Sequence, residues 1–137
     1  MSKGEFRLIV AGIILNEAKN KILLIKRTDS MWGDAWSIPG GHVEYGESVK
    51  EALIRELREE LNLEVLDFKF LAYEEFTVPT KPNKQFISLN FIVFAKENIS
   101  SNKEIKEAKW FDLTKLSEIN HKIPREGIEY IDTHLTK

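Results

Sequence analysis

The most informative part of the chain is GHVEYGESVKEALIRELREELNL, residues 41–63. Apolar residues recur in its second half at the three- and four-residue spacing of an amphipathic helix. Ser48 and Glu51 form an S-x-x-E capping box, which predicts that the helix begins just after Ser48. Asn62 stands where a residue in the left-handed conformation commonly ends a helix. The stretch therefore predicts one well-delimited helix, preceded by a loop that contains glycine.

Three glutamates on the predicted helix, Glu56, Glu59 and Glu60, lie within one arc roughly 100° wide. Like charges at this spacing repel each other by roughly 0.2–0.5 kcal/mol per pair, so helix stability alone gives little reason to place them together. A hard divalent cation such as Mg²⁺ or Mn²⁺ would turn that repulsion into coordination, because it prefers oxygen ligands. The arc borders the apolar face of the helix, which predicts a metal site at the edge of the core.

The loop before the helix strengthens this interpretation. Gly40 and Gly41 allow the backbone to approach a ligand closely and to aim carbonyl oxygens at a cation. Glu47 stands near the same end, just before the helix. Taken alone, the charged arc is more typical of a solvated surface on which Arg55 pairs with Glu59, and any single glycine indicates only a turn. The combination at fixed spacing favours the metal site.

The same residues resemble the signature of the Nudix hydrolase family, G-x5-E-x7-R-E-U-x-E-E-x-G-U, in which U is a bulky apolar residue. The matching positions in this chain are Gly41, Glu47, Arg55, Glu56, Leu57, Glu59, Glu60 and Leu63. Asn62 replaces the last glycine of the signature, and asparagine tolerates the same left-handed conformation. The flanking strands resemble the family's arrangement over most of the chain.

The resemblance implies an α/β fold, the α/β/α sandwich with a mixed β-sheet, as a single domain over residues 1–137. It also implies metal-dependent hydrolysis of a nucleoside diphosphate linked to another group X, with Mg²⁺ or Mn²⁺ as cofactor. The metal site implied by motif position consists of Glu56, Glu59, Glu60, Glu47 and Gly41, the last through its backbone carbonyl.

The resemblance leaves the general base open. A helix glutamate such as Glu59 or Glu56 could activate the attacking water, with Arg55 orienting one of these glutamates. Many family members place a further metal ligand or base in the loop before a tryptophan-containing strand, where this chain has Glu104 and Glu107. A solvated charged loop explains these two glutamates equally well.

The remaining pattern predicts mainly strands. Apolar runs indicate strands at residues 8–15, 21–27, 63–76, 86–95 and 108–113, the first two forming a hairpin. Loops are predicted at residues 28–37, 77–85 and 98–106, and irregular backbone at 39–41. The loop at residues 77–85 is predicted because it contains Pro79 and Pro82. A helical turn is predicted at residues 114–118 and a last helix at 123–135, with Pro124 in its first turn.

The candidates for substrate binding are Arg27, Trp36, Phe76 and Asn90. Arg27 ends a strand near the expected site and could contact phosphate, although surface charge explains it equally well. Trp36 and Phe76, like Trp32, could stack a base, whereas core packing is the more common role of such residues. Asn90 could read a base edge through its amide, or form a buried structural hydrogen bond.

The substrate class stays open between two kinds. Pro79 lies at the distance beyond the signature where ADP-ribose pyrophosphatases often have a proline, but the short chain suits a nucleoside triphosphate pyrophosphohydrolase just as well. A non-catalytic nucleotide-binding module of the same fold is the alternative function. Such modules typically lose a metal-binding glutamate, and none is lost here. Isopentenyl diphosphate isomerase shares the fold but uses a catalytic cysteine, which this chain lacks.

Composition narrows the class of protein further. The 137 residues carry 20 Lys and Arg against 22 Asp and Glu, so nothing indicates a polybasic surface for a nucleic-acid polymer or a membrane. The absence of cysteine excludes disulfides and thiol nucleophiles. The apolar run at residues 8–15 is too short to span a membrane and lacks a signal-peptide cleavage pattern. We therefore expect a cytoplasmic protein with a small nucleotide as its substrate; many family members are homodimers, and this chain is compatible with one.

Overall fold

A computed structural model describes residues 3–28 and 33–135 of the chain. Trp32 lies outside the described residues. The elements in chain order are β1 (Glu5–Asn16), β2 (Lys21–Arg27), β3 (Gly40–His42), α1 (Val49–Leu61), β4 (Val65–Val78), β5 (Lys81–Ala95), β6 (Ile105–Asp112), a 3₁₀ turn (Leu113–Glu118) and α2 (Arg125–His134).

The strands form one mixed sheet in the order β4-β5-β1-β2-β6, and the short strand β3 joins the sheet beside β1. The β1 and β5 strands run parallel, whereas the other pairs are antiparallel. The predicted hairpin of β1 and β2 is confirmed. Among the described residues, no helix is both long enough and apolar enough to span a bilayer.

Alternating side chains of β1 divide the core between the two faces of the sheet. Val10 and Ile14 pack on one face against apolar residues of α1, among them Leu53 and Leu57. Residues of the opposite parity, such as Ile13, pack on the other face with α2 and the 3₁₀ turn. The helices therefore cover both faces, as the predicted α/β/α sandwich requires, and α1 is held with its charged arc at the edge of the sheet.

Both predicted ends of α1 are confirmed. The Ser48 hydroxyl accepts a hydrogen bond from the Glu51 backbone N–H over 3.1 Å, and the Glu51 carboxylate accepts one from the Ser48 N–H over 3.0 Å. This reciprocal pair satisfies two donors that the first turn of a helix leaves unpaired. Asn62 adopts the left-handed conformation, with φ 50° and ψ 38°.

The loop predicted at residues 77–85 is wrong. The β4 strand continues to Val78 and β5 begins at Lys81, so the two strands form a hairpin with Pro79 in the short connection. The pairing register shifts between Phe76 and Val78. Pro82 lies opposite this irregularity, where a proline does not remove a regular ladder hydrogen bond. Pro79 and Pro82 thus indicate an irregular pairing within the hairpin of β4 and β5, and not a long loop.

Three smaller boundaries also differ from the predictions. The loop at residues 98–106 ends earlier, because β6 starts at Ile105 and pairs with β2. Gly40 and Gly41 belong to the strand β3 rather than to irregular backbone, since they pair with β1. Pro124 precedes the last helix as its cap residue, instead of lying in its first turn.

Candidate active site

Arg55 on α1 is the centre of the charged site. Its Nε and Nη2 atoms donate to the two carboxylate oxygens of Glu47 over 2.6 and 2.9 Å. Its Nη1 atom donates to Glu56 over 2.9 Å and to Glu59 over 3.3 Å, and Nη2 also donates to the backbone carbonyl of His42 over 3.0 Å. A planar guanidinium suits such two-pronged contacts with carboxylates. Arg55 therefore ties the loop before the helix to two glutamates of the arc.

Glycine is required where β3 passes α1. A Cβ atom added to Gly41 would collide with the carboxylate of Glu56. A Cβ atom added to Gly40 would instead collide with backbone, namely the Val10 carbonyl oxygen and the Cα of Ala11. The two glycines thus serve different purposes: Gly40 allows β3 to pair with β1, and Gly41 leaves room for a glutamate side chain beside the strand.

Glu60 is the buried member of the arc, with 2% of its surface exposed. Its Oε2 atom accepts a hydrogen bond from Arg27 over 2.8 Å, whereas its Oε1 atom is buried without a partner among the described residues. Burial raises the pKa of Glu60 to about 7, and burial also raises the pKa of Glu56. A buried carboxylate oxygen without a donor is unfavourable, and a cation is one group that would satisfy it.

The oxygen donors of the site fit a hard divalent cation in their chemistry. Within the described part of the chain, no three acidic or imidazole side chains converge closely enough to hold a metal ion. Two arginines engage the helix glutamates: Arg55 contacts Glu56 and Glu59, while Arg27 contacts Glu60. The unpaired Oε1 atom of Glu60 is the feature that best suits an ion.

The ion pair between Glu47 and Arg55 predicts a pH-dependent contribution to stability. The hydrogen bonds from Arg55 lower the pKa of Glu47 from 4.5 to about 2, assisted by the backbone N–H of Glu44. A lowered pKa stabilises the fold above the unfolded value of 4.5, and this contribution is lost as the pH falls toward 2. We expect Glu47→Gln to lower the melting temperature at pH 6, with a difference from wild type that shrinks between pH 4.5 and 2. A difference that stays constant in thermal melts across this range would contradict the assignment.

A cavity lies beside the glutamates, and Gly40 and Gly41 form part of its wall. The ionisable residues that line it are Arg27, His42, Glu74, Lys81 and Lys122. Burial lowers the pKa of His42, so this imidazole adds little positive charge at neutral pH. Phe76 also lines the cavity, and its ring stacks on that of Phe86 with the centroids 5.4 Å apart. The excess of cationic side chains over the one carboxylate suits a phosphorylated ligand.

The structure places the four predicted substrate residues in three different settings. Arg27 and Phe76 line the cavity. Asn90 is buried, with its amide bonded to Ser88 and Glu74. Trp36 packs edge-on against Phe111 in the core cluster beneath α2, with the centroids 4.8 Å apart. The sequence allowed a structural role for both Asn90 and Trp36. In the structure Asn90 forms buried hydrogen bonds and Trp36 packs in the core.

The two glutamates predicted near β6 separate in the fold. Glu104 reaches Arg27, with its Oε2 atom 3.4 Å from Nη2, and so lies beside the arc. Glu107 is in β6 and not in the preceding loop, where it pairs with Lys26 of β2. Its neighbour Ala108 packs on the α1 side of the sheet, and side chains alternate along a strand, so Glu107 faces away from α1.

Several cavity residues were not identified from the sequence, namely Glu74, Lys81, Ser88 and Lys122. Glu74 and Ser88 occupy paired positions on β4 and β5. No short motif signals this pair, because the two residues meet only through the register of strands that lie in different parts of the chain.

Comparison with known proteins decides the family. The family model of the NUDIX domain matches residues 6–131. The chain belongs to the Nudix family. The predicted Nudix fold agrees with solved structures: the NUDIX domain of Shewanella oneidensis NrtR, in a cocrystal structure with ADP ribose, superimposes with a TM-score of 0.78 at 16% identity. That likeness covers 98% of this chain and 91% of the other, and it shows the fold alone.

Two sequence relatives in the Nudix family carry named activities. An ADP-ribose pyrophosphatase from Methanocaldococcus jannaschii is 38% identical over 111 residues, which cover 80% of this chain and 64% of that protein. This chain thus spans less than two thirds of the length of that relative. An RNA pyrophosphohydrolase from Nitratiruptor sp. is 29% identical over 123 residues, which cover 82% of this chain and 78% of that protein.

Proposed function

We propose that this Nudix chain hydrolyses the pyrophosphate bond of a nucleoside diphosphate linked to a second group, with the help of a divalent metal ion. The observation that carries the proposal is the glutamate arc of α1. Arg55 links this arc to Glu47, beside a cavity that is lined by positively charged side chains. The named activities of both sequence relatives support the same bond type. A non-catalytic binding module is disfavoured, because all the glutamates of the signature are present.

We assign the metal to Glu56, Glu59 and Glu60, with the Gly41 carbonyl as a further oxygen donor. A bound Mg²⁺ or Mn²⁺ would supply charge neutralisation of the pyrophosphate oxygens and would lower the pKa of a coordinated water. Glu47 holds the guanidinium of Arg55 in place. This contact does not depend on whether Glu56 and Glu59 bind Arg55 or a metal ion. This fixed cation limits the repulsion among the helix carboxylates before the substrate binds.

The reaction also needs a general base and positively charged side chains that bind the phosphates. Glu59 is the most exposed carboxylate of the arc, with 57% of its side chain accessible, so it can reach a water molecule. Glu59 takes the proton of that water while the oxygen attacks one phosphorus atom, and the bridging P–O bond breaks. Arg27 lies next to the α1 glutamates and binds the phosphates, while Lys81 and Lys122 add positive charge to the cavity that attracts the anionic substrate. When the diphosphate joins a nucleoside to a sugar, the products are two phosphate monoesters.

We propose an ADP-ribose-like diphosphate as the substrate class, supported by the activity named for the Methanocaldococcus relative. A hydrolysis panel with Mg²⁺ tests this choice against nucleoside triphosphates and 5′-triphosphorylated RNA. ADP-ribose cleaved to AMP and ribose 5-phosphate supports the proposal. Pyrophosphate released from a nucleoside triphosphate would move the assignment to that class, and nucleotide binding without turnover of any compound would favour the binding module.

If the glutamate arc binds a metal ion, Mg²⁺ should raise the melting temperature by an amount that depends on pH. The raised pKa values of Glu56 and Glu60 mean that the fold retains protons that the unfolded chain releases, so stability falls as the pH rises from 4.5 through about 7. A bound cation requires these carboxylates deprotonated and offsets that loss. We expect Mg²⁺ to raise the melting temperature by several degrees at pH 8 and by clearly less at pH 6.

Differential scanning fluorimetry with MgCl₂ or EDTA measures this shift, and Glu59→Gln and Glu64→Gln serve as matched variants. Glu64 is an exposed glutamate beyond the end of α1, with 65% of its side chain accessible. The shift should persist in Glu64→Gln and shrink in Glu59→Gln. An equal shift at both pH values, or in both variants, would argue against a metal on the α1 glutamates.

A further inference from the structure

We infer that Glu74 determines specificity: its carboxylate accepts a hydrogen bond from an N–H or O–H group on the nucleoside part of the substrate. This inference rests on the proposed function, because it names the part of the nucleotide that the cavity selects. Three polar side chains, Ser88, Asn90 and Glu74, form a hydrogen-bonded series that ends in the cavity, and this series carries the inference.

The series holds the carboxylate of Glu74 in a defined position. Asn90 and Ser88 are 1% and 2% exposed. The Ser88 hydroxyl donates to Asn90 Oδ1 over 2.6 Å, and Asn90 Nδ2 donates to Glu74 Oε1 over 3.1 Å. Because the amide oxygen of Asn90 is engaged by Ser88, the amide N–H₂ group is directed toward Glu74. A carboxylate has about four acceptor positions, so this contact leaves Glu74 able to accept from a ligand.

The sheet register separates Glu74 from the reacting phosphates. Glu74 pairs with Ser88, Ser88 with Ile9, and Ile9 with His42, which makes one row across four strands. Neighbouring strands lie about 4.8 Å apart, so the backbone of Glu74 is about 14 Å from β3. The carboxylate of Glu56 lies against β3. Glu74 and the strand beside Glu56 are therefore three strand spacings apart, which assigns Glu74 to a part of the ligand other than the bond that breaks.

Charge decides which part of the ligand fits at Glu74. A carboxylate repels phosphate, whereas the cation Arg27 lines the same cavity next to the α1 glutamates. The phosphates therefore belong at the Arg27 end and an uncharged donor group at the Glu74 end. The half-buried ring of Phe76, which stacks on Phe86, forms part of the apolar wall of the same cavity. A fixed acceptor strongly disfavours an analogue that lacks the donor.

Calorimetric titration of mononucleotides tests this assignment without requiring turnover. The proteins are wild type, Glu74→Gln and the matched control Glu75→Gln. Glu75 is the next residue of β4, is exposed, and accepts a hydrogen bond from Gln85 over 3.1 Å. Both substitutions remove one negative charge from β4, but alternation along the strand puts only Glu74 on the cavity face. The probes are AMP, GMP, IMP and 2′-deoxy-AMP.

We expect wild type to prefer a probe that carries the recognised donor by about tenfold over the analogue that lacks it. Glu74→Gln should lose most of that preference, because its one amide oxygen accepts from Asn90 and its N–H₂ group then faces the ligand. Discrimination against IMP identifies a base amino group as the donor, and discrimination against 2′-deoxy-AMP identifies the ribose hydroxyl. Equal selectivity in Glu74→Gln and Glu75→Gln, or no selectivity in wild type, would overturn the assignment. Selective binding without turnover would reject hydrolysis while leaving the role of Glu74 intact.

Discussion

Glu59→Gln should lower kcat by about 10²- to 10⁴-fold while the protein folds normally, because the amide cannot accept the proton of the attacking water and is a weaker ligand for the proposed metal ion. The side chain of Glu59 is 57% exposed, and its contact with Arg55 is long, at 3.3 Å. The isosteric amide keeps an oxygen that can accept this hydrogen bond, so little stabilisation is lost. Steady-state kinetics with the preferred nucleotide, together with thermal melts, measure both effects.

Glu64→Gln is the matched control for this prediction. It makes the same chemical change at an exposed glutamate whose partner is Lys96, at 3.6 Å, away from the arc. We expect its kcat and its stability to stay close to those of wild type, because surface substitutions usually change stability little. Activity of Glu59→Gln close to that of Glu64→Gln would remove Glu59 from the reaction and return the role of base to Glu56 or Glu104.

Gly41→Ala should lower activity by about 10- to 100-fold with little loss of stability. The new methyl group would occupy the position of the Glu56 carboxylate. That carboxylate is the end of a flexible side chain, so it can move aside and the fold survives. Moving it breaks the 2.9 Å hydrogen bond from Arg55 and displaces one oxygen donor of the proposed metal site. Kinetics and thermal melts of the same preparation report the two properties separately.

Gly40→Ala provides the contrasting variant, one residue earlier in the same strand. Its methyl group would meet backbone atoms of β1, including the Cα of Ala11 at 2.8 Å, which cannot move aside alone. We expect a loss of stability of about 1–3 kcal/mol, the usual cost of overpacking. Gly41→Ala should therefore lose mainly activity, and Gly40→Ala mainly stability. Wild-type activity in Gly41→Ala, or an equal loss of stability in both variants, would contradict the positions assigned to Glu56 and β3.

Local signals in the sequence predicted α1 well. The capping box at Ser48 and Glu51 and the left-handed Asn62 are short-range features whose energetics depend on neighbouring residues, and the structure confirms both. The glutamate arc follows from the helical period alone. The contact between Arg55 and Glu59 was predictable for the same reason, since residues four apart on a helix are neighbours.

Contacts that depend on strand register or on the path of a loop could not be predicted from the sequence. The strongest contact of Arg55 goes to Glu47, in the loop before the helix, and only the path of that loop brings them together. Gly40 and Gly41 were recognised as unusual, but their reason is the close approach of β3 to β1 and to Glu56. Glu74 gave no signal, because its setting in the cavity arises from pairing between β4 and β5.

The prolines illustrate how a local signal can mislead. Pro79 and Pro82 indicate interruptions of regular backbone, and the structure does contain a register shift at that point. The interruption lies within a long hairpin that cross-strand pairing and the buried Phe86 hold together. Tertiary pairing therefore overrides the loop preference of these residues.

Cleavage of ADP-ribose in ¹⁸O-labelled water with Mg²⁺, with the products identified by mass, tests the proposed attack of water on the pyrophosphate. We expect AMP and ribose 5-phosphate, one of them carrying a single ¹⁸O atom on its phosphate, and no products when EDTA removes the metal. This result would place water attack at a phosphorus atom of the pyrophosphate. Release of free ADP, label on the ribose carbon, or cleavage that persists in EDTA would contradict it.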